Sequence, residues 1–301
     1  MKVTLNRTEF MQELQTVQRA ISSKTTIPIL TGVKLVLTDK GLTLTGSNAD
    51  ISIETFLSVE KEKVQMKIEQ TGAIVLQARF FSEIIRRLPD NTVTLEVIEN
   101  NQVAITSGKA NFTVNGLDAD SYPHLPVVES QDRIEVPAHI LNKIVNETVF
   151  AVSQHESRPI LTGVHFVLEN KKLLAVATDS HRLSQRVIPL ESGEANFNIV
   201  IPGISLTELS RSLTDEEEAI QISIMDNQVL FQTNTMKFYS RLLEGTYPDT
   251  NRLIPSSFNT EIEFSVPELL SAIERASLLS HEGRNNIVRL SINEDSVILY
   301  G

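Results

Sequence analysis

Asp179-Ser180-His181 holds the three residue types of a nucleophilic triad, the chemistry of acyl transfer. Its spacing works against that chemistry. Adjacent residues on an extended segment point to opposite faces, so hydroxyl, imidazole and carboxylate would not line up as nucleophile, base and orienter. The six histidines, His124, His139, His155, His165, His181 and His281, include no pair at i, i+4, and the chain has no cysteine, so no zinc-type ligand set is spelled out. They read as surface or packing residues. The acidic run Asp215-Glu216-Glu217-Glu218 lacks the glycine and ligand spacing of a calcium loop and reads as a solvated turn. No phosphate loop or dinucleotide fingerprint is present. The expectation is a protein that is not an enzyme and that uses neither metal nor cofactor.

Charge carries more information. The chain has 27 Lys and Arg against 38 Asp and Glu, a net charge of −11. Residues 1–128 carry 13 and 14 of these, residues 129–256 carry 11 and 17, and residues 257–301 carry 3 and 7. No part is basic overall, which argues against a groove binder that neutralises many phosphates but leaves room for a basic strip on one face. In the first part the cations gather around two helical segments: Arg7 and Arg19 flank or lie on the first, Lys24 follows it, and Arg79, Arg86 and Arg87 sit on the second. The competing reading of Arg87 is an ordinary helix ion pair with Glu83 at i, i+4. The absence of cysteine suits a reducing cytosol. The N-terminus has no apolar signal-like run and no stretch approaches a membrane span, so a cytoplasmic protein without membrane association is expected.

The elements that must position these residues repeat. The hexapeptide PILTGV occurs at Pro28 to Val33 and again at Pro159 to Val164. In step with it, LTLTGSNAD (Leu42 to Asp50) answers LLAVATDSH (Leu173 to His181), pairing Asn48 with Asp179. VLQARFFSEIIRRLPD (Val75 to Asp90) answers VIPGISLTELSRSLTD (Val200 to Asp215), and Tyr122-Pro123 answers Tyr247-Pro248. A third copy begins near Glu261: VPELLSAIERASLLS matches the segment from Val136, and IVRLSINEDSVILYG matches the segment from Gly163. A period of about 125 to 130 residues far exceeds that of solenoids, so each unit should own a core. The predicted domains are 1–128, 129–256 and 257–301. The last is expected to be cut short by roughly 80 residues, so the sequence reads as a fragment that ends inside its third domain.

Within the first unit the hydrophobic periods alternate in a fixed order. Met1 to Asn6 reads as a strand and Thr8 to Ser22 as an amphipathic helix, followed by three strands. The pattern then recurs, with a strand from Ala73, a helix from Arg79 to Leu88 stopped by Pro89, and three more strands. Two helices against many antiparallel strands per unit give an α+β fold.

The segments TTIPILTGVKLVLTDKGLTLTGSN, ARFFSEIIRRLPD, LLAVATDSHRLS and LEGTYPDTNRLIP, in this order and spacing, resemble the bacterial DNA polymerase III beta subunit, the sliding clamp. The resemblance covers the whole chain. It implies a DNA-clamp fold of three repeated domains, and a homodimer of the full-length protein closing into a pseudo-sixfold ring with helices lining the hole and a continuous sheet outside. Double-stranded DNA would be held topologically and without sequence preference. The replicative DNA polymerase, an ATP-driven clamp loader and repair polymerases would dock through short peptides. Lys24, Arg79 and Arg86 match positions that face DNA. In the second domain Lys143, Arg211 and His155 remain as candidates, whereas Gly203 and Ile204 stand where many relatives carry basic residues. The resemblance places a partner-peptide pocket at Leu161, Thr178, His181, Arg182, Leu183, Pro248, Arg252 and Leu253. The leucines and the proline would form apolar walls, with the arginines as donors to a peptide carbonyl or carboxylate. The alternative is a repeat scaffold that binds only proteins and makes no DNA contact.

Overall fold

The computed structural model describes residues 1–125, 133–190, 195–213, 219–225, 227–280, 287–293 and 296–301. The acidic run 215–218 and His281 lie outside the described residues. The chain forms two compact units, Met1–Pro248 and Asp249–Gly301.

In the first unit each repeat is built twice over from strand, helix and three strands. The first half comprises β1 (Lys2–Asn6), α1 (Arg7–Gln18), β2 (Gly32–Thr38), β3 (Gly41–Ser47) and β4 (Ile51–Ser58). A short β5 (Lys67–Gln70) intervenes before β6 (Gly72–Gln77), α2 (Ala78–Arg86), β7 (Thr92–Val97), β8 (Gln102–Ser107) and β9 (Ala110–Leu117). The second repeat supplies β10 (Arg133–Pro137), α3 (Ala138–Thr148), β11 (Gly163–Glu169), β12 (Lys172–Thr178) and β13 (Leu183–Pro189). It is completed by β14 (Phe197–Pro202), α4 (Gly203–Ser212), β15 (Ala219–Met225), β16 (Gln228–Gln232) and β17 (Met236–Arg241).

Asn6 starts α1, its Oδ1 accepting from the backbone N–H groups of Thr8 and Glu9 at 2.9 and 3.2 Å. Phe10, Leu14 and Val17 form the buried stripe. The periodicity runs on to Ile21, but the helix stops at Gln18, because Arg19, Ala20 and Ile21 donate to residues three back and tighten the turn. Packing accounts for the tight ending: a Cβ on Gly46 of β3 would lie 2.3 Å from the Val17 carbonyl oxygen, so only glycine permits this approach. On α2, Phe81 meets Phe10 edge to face at 5.8 Å.

Arg7 belongs to this packing. Its guanidinium donates to the carbonyl oxygens of Arg86 and Leu88 at 3.1 and 3.0 Å, satisfying the C-terminal end of α2 with a positive charge. Arg7→Met should therefore cost about 2–3 kcal/mol, the worth of charge-assisted hydrogen bonds lost from a partly buried site. Urea denaturation checks this, and an unchanged midpoint would contradict it.

Strand β5 has no clear signature in sequence. It is four residues with one apolar side chain, recruited as an edge beside β1, with Val3 opposite Ile68 and Lys2 bridging Glu69 at 3.2 Å and Glu96 at 3.6 Å. Otherwise the strands run in the order β10-β15-β16-β17-β4-β3-β2-β6-β9-β8-β7-β1-β5, a thirteen-stranded sheet, with a second sheet β13-β12-β11-β14. The long sheet crosses from one repeat to the other where β17 pairs antiparallel with β4, Phe238 opposite Ile53 and Lys237 opposite Glu54. Lys237 Nζ also reaches Glu54 Oε1 at 3.3 Å. The sheet is thus continuous across the junction of the two repeats, while β11–β14 of the second form a sheet of their own.

The internal repeat extends to register. Gly32 stands opposite Gln77 on β6, and Gly163 opposite Pro202 on β14. Each repeat also closes a small satellite core under its PILT turn: Leu30, Val75, Ala119 and Tyr122 in the first, Leu161, Val176, Val200 and Tyr247 in the second. In the second unit, α5 (Val266–Ser280) is followed by the antiparallel pair β18 (Arg289–Ile292) and β19 (Val297–Tyr300), with Arg289 over the Tyr300 ring at 4.8 Å.

Candidate DNA face and partner pocket

The cations fall into two groups. Arg79 and Arg86 on α2 share a groove of about 560 Å³ with Ser22 and Ser23 of the loop after α1, the loop that also carries Lys24. All three cations are exposed. Among the described residues neither Lys24 nor Arg79 has an ion-pair partner, whereas Glu83 takes both Arg86 at 2.7 Å and Arg87 at 3.3 Å. The pair expected for Arg87 therefore forms, and Arg86 shares it at shorter range. Such exposed pairs contribute about 0.3–0.5 kcal/mol and leave most of the charge available to a polyanion.

In the second repeat Lys143 is exposed on α3 and His155 on the loop that follows. Arg211, on the last turn of α4, bonds Glu208 at 2.9 Å, and Glu208 also lies 3.6 Å from Arg19 at the end of α1. This shared carboxylate links helices of the two repeats. At the start of α4, a Cβ on buried Gly203 would come within 3.1 Å of both the Thr162 carbonyl oxygen and the Val152 side chain, and Ile204 beside it is 75% exposed. That stretch of the face is apolar.

The second candidate site is built on the turn after β12. The segment 179–182 is not extended, as the sequence reading assumed. Asp179 Oδ1 accepts from the backbone N–H groups of His181 and Arg182 at 2.9 and 3.0 Å, with Ser180 at φ 78°. The same turn exists in the first repeat, where Asn48 Oδ1 accepts from Asp50 and Ile51 at 3.0 and 2.9 Å and Ala49 has φ 77°. Asp179 Oδ2 meanwhile takes Arg182 Nε at 3.0 Å. The carboxylate is thus committed to its own turn and to Arg182, which removes the triad for a firmer reason than alternation along a strand.

Those hydrogen bonds to the His181 and Arg182 backbone N–H groups, followed by the bond and charge of the Arg182 guanidinium, hold the Asp179 carboxyl below its ordinary value of 3.8. A depressed carboxylate stabilises the fold above its unfolded pKa, and that contribution is lost as pH falls through the lower folded value. The turn should accordingly persist as pH drops through the ordinary carboxylate range and loosen only below it. NMR titration of Asp179 gives the check, and a midpoint at or above 3.8 would contradict it.

Around this turn Thr178 is buried, its Oγ1 donating to the Arg182 carbonyl oxygen at 2.7 Å and its backbone N–H donating to the Tyr247 hydroxyl at 3.1 Å. In the first repeat the buried Tyr122 hydroxyl has no such hydrogen bond among the described residues. Leu161 is 3% exposed and sits in the satellite core, so it forms floor and not wall. Leu183 is half-buried against that core, while His181, Arg182 and Pro248 are exposed. The Arg182 guanidinium also lies 5.9 Å from the centre of the Phe150 ring, a residue that sequence reading did not single out. Arg252 and Leu253 belong to the second unit, where Arg252 Nε meets Asp249 Oδ2 at 3.0 Å and Leu253 is 59% exposed. Among the described residues no group of acidic, histidine or cysteine side chains could hold a metal ion, and no helix is long and apolar enough to cross a membrane.

Three family models match the chain in order: the N-terminal domain of the DNA polymerase III beta subunit at residues 1–126, its central domain at 135–249 and its C-terminal domain at 251–301. The chain belongs to the DNA polymerase III beta subunit family. It is 52% identical to the beta sliding clamp of Bacillus subtilis over 293 residues, 97% of this chain and 78% of that protein. The solved beta chain of Streptococcus pneumoniae superposes with a TM-score of 0.96 at 47% identity, covering 99% of this chain and 79% of the other. A sliding clamp from Bartonella birtlesii, solved bound to griselimycin, superposes with a TM-score of 0.88 at 28% identity, covering 99% and 82%. The chain therefore has the sliding-clamp fold and acts as a sliding clamp, a processivity factor of DNA replication and an accessory subunit of DNA polymerase III without catalysis of its own.

Proposed function

We propose that this clamp holds duplex DNA through Lys24, Arg79 and Arg86 of the first repeat and Lys143, His155 and Arg211 of the second. The observation that carries the reading is the charge distribution: exposed cations cluster on or beside the paired helices of a chain whose net charge is −11. Contacts of this kind are electrostatic and blind to sequence, so the protein can slide, whereas base-reading contacts would arrest it. In the complete assembly two chains close head to tail around the duplex. The protein works in the cytoplasm, where the DNA is.

The same reading assigns the turn after β12 to partner proteins. Leu161, Thr178 and Leu183 provide a floor and an apolar side, and His181, Arg182 and Pro248 an exposed rim, for the short peptides of the polymerase, the clamp loader and repair polymerases. Arg252 and Leu253 are assigned to those peptides on the family resemblance alone. The griselimycin complex of the Bartonella birtlesii clamp supports ligand binding by this fold. Site-specific photocrosslinking tests the DNA face: probes at Lys24, Arg79 and Lys143 should capture duplexes of any sequence, and a probe at Lys109, on the turn between β8 and β9, should not. Equal capture at Lys109 would overturn the assignment.

A further inference from the structure

The pocket assigned to the second repeat has a structural counterpart in the first. The two turns share their hydrogen bonds and their positive φ, at Ala49 and Ser180. Each is flanked by a PILT turn closed by a threonine hydroxyl bonding back three residues, Thr31 to Pro28 at 2.8 Å and Thr162 to Pro159 at 2.7 Å. Beside the first of these frames lies a cavity of about 240 Å³. Leu30 is its floor, Ile27, Pro123 and Leu125 its near side, and Tyr239 and Arg241 of β17 its far side.

We propose that this cavity is a second peptide-binding site, one that takes a single leucine- or phenylalanine-sized side chain of an extended partner segment bearing a carboxylate. The size limits the occupant: the volume falls below the roughly 300 Å³ of sites for drug-sized ligands, so it holds an anchor and not a whole small molecule. The lining supplies the apolar contacts, with Ile27 43% exposed above buried Leu30. The lining holds one carboxylate, Asp50, and one guanidinium, Arg241; both are exposed, and among the described residues Arg241 has no ion pair, which leaves it to meet the partner. A guanidinium at the edge of an apolar recess fits a carboxylate.

The rims differ in character. Arg158 and His181 at the second repeat are answered by Ile27 and Asp50 at the first, and Arg182 by the buried Ile51, so the first-repeat cavity draws its cation from the neighbouring repeat, through β17. It should bind more weakly and discriminate differently. The peptide chemistry is borrowed from the pocket proposed above, and the test separates the two.

The probe is a synthetic five-residue peptide with leucine, phenylalanine and a free C-terminal carboxylate, titrated into methyl-labelled protein. The Ile27 and Leu125 methyl resonances are followed in a Leu183→Lys background, where the other pocket is blocked. Saturable shifts whose midpoint rises at least fivefold on adding Arg241→Glu support the second site. No shift at millimolar peptide, or shifts indifferent to Arg241→Glu, would overturn it. Calorimetry of Leu183→Lys against wild type reports separately on the pocket of the second repeat, so either reading can fail alone.

Discussion

Reversing the charges of Lys24, Arg79 and Arg86 together is expected to abolish most retention on DNA while leaving the fold intact. All three side chains are exposed, and substitutions at such positions usually change stability by less than about 0.5 kcal/mol. Arg86 adds only the loss of its contact to Glu83, another few tenths of a kcal/mol. The effect on DNA is far larger. Each phosphate contact contributes about 0.9 to the slope of log affinity against log salt, so removing three should flatten that slope by about 2.7 per chain. Reversal adds repulsion on top. Salt-dependent retention and polymerase processivity measure the change, with thermal unfolding as the control. Wild-type values for the triple variant would reassign these residues to solvation.

Leu183→Lys carries the second large effect, on partner peptides. Leu183 lies half-buried on a core of Leu161, Val176, Val200 and Tyr247. Burying one leucine-sized anchor contributes about 1.5–3 kcal/mol, a part of which is offset by ordering the peptide. Placing an ammonium where that anchor packs should lower affinity at least tenfold from a micromolar starting point. Calorimetric titration of a leucine- and phenylalanine-bearing peptide gives the value, and equal affinity for variant and wild type would place the site elsewhere.

The repeated frame was legible because its markers are short and rigid. PILTGV and the Asn48 and Asp179 turns recur at matching hydrogen-bond positions in the fold, and the tyrosines of the Tyr-Pro pairs at matching places in the satellite cores. What escaped has a tertiary cause. Strand β5 exists because β1 offers an edge, and α1 stops early because β3 presses against it at Gly46. Arg7 looked like one more cation beside a helix, and only the position of α2's last carbonyl groups shows its structural task. The Asp179 turn, read as extended, is bent by its own carboxylate, a local bond that alternation of apolar and polar residues does not reveal. The placement of Phe150 under Arg182 depends on bringing α3's end and β13's start together, which no spacing rule supplies.

The central claim is topological: the clamp stays on DNA because it surrounds it. The most direct measurement loads the complete protein on circular duplex, follows its retention, and then cuts the circle once. Stable retention on the circle followed by rapid loss from the linear product is the result expected of a protein that slides off an end. Equal dissociation from circle and linear DNA would show binding to one face, and would contradict the account.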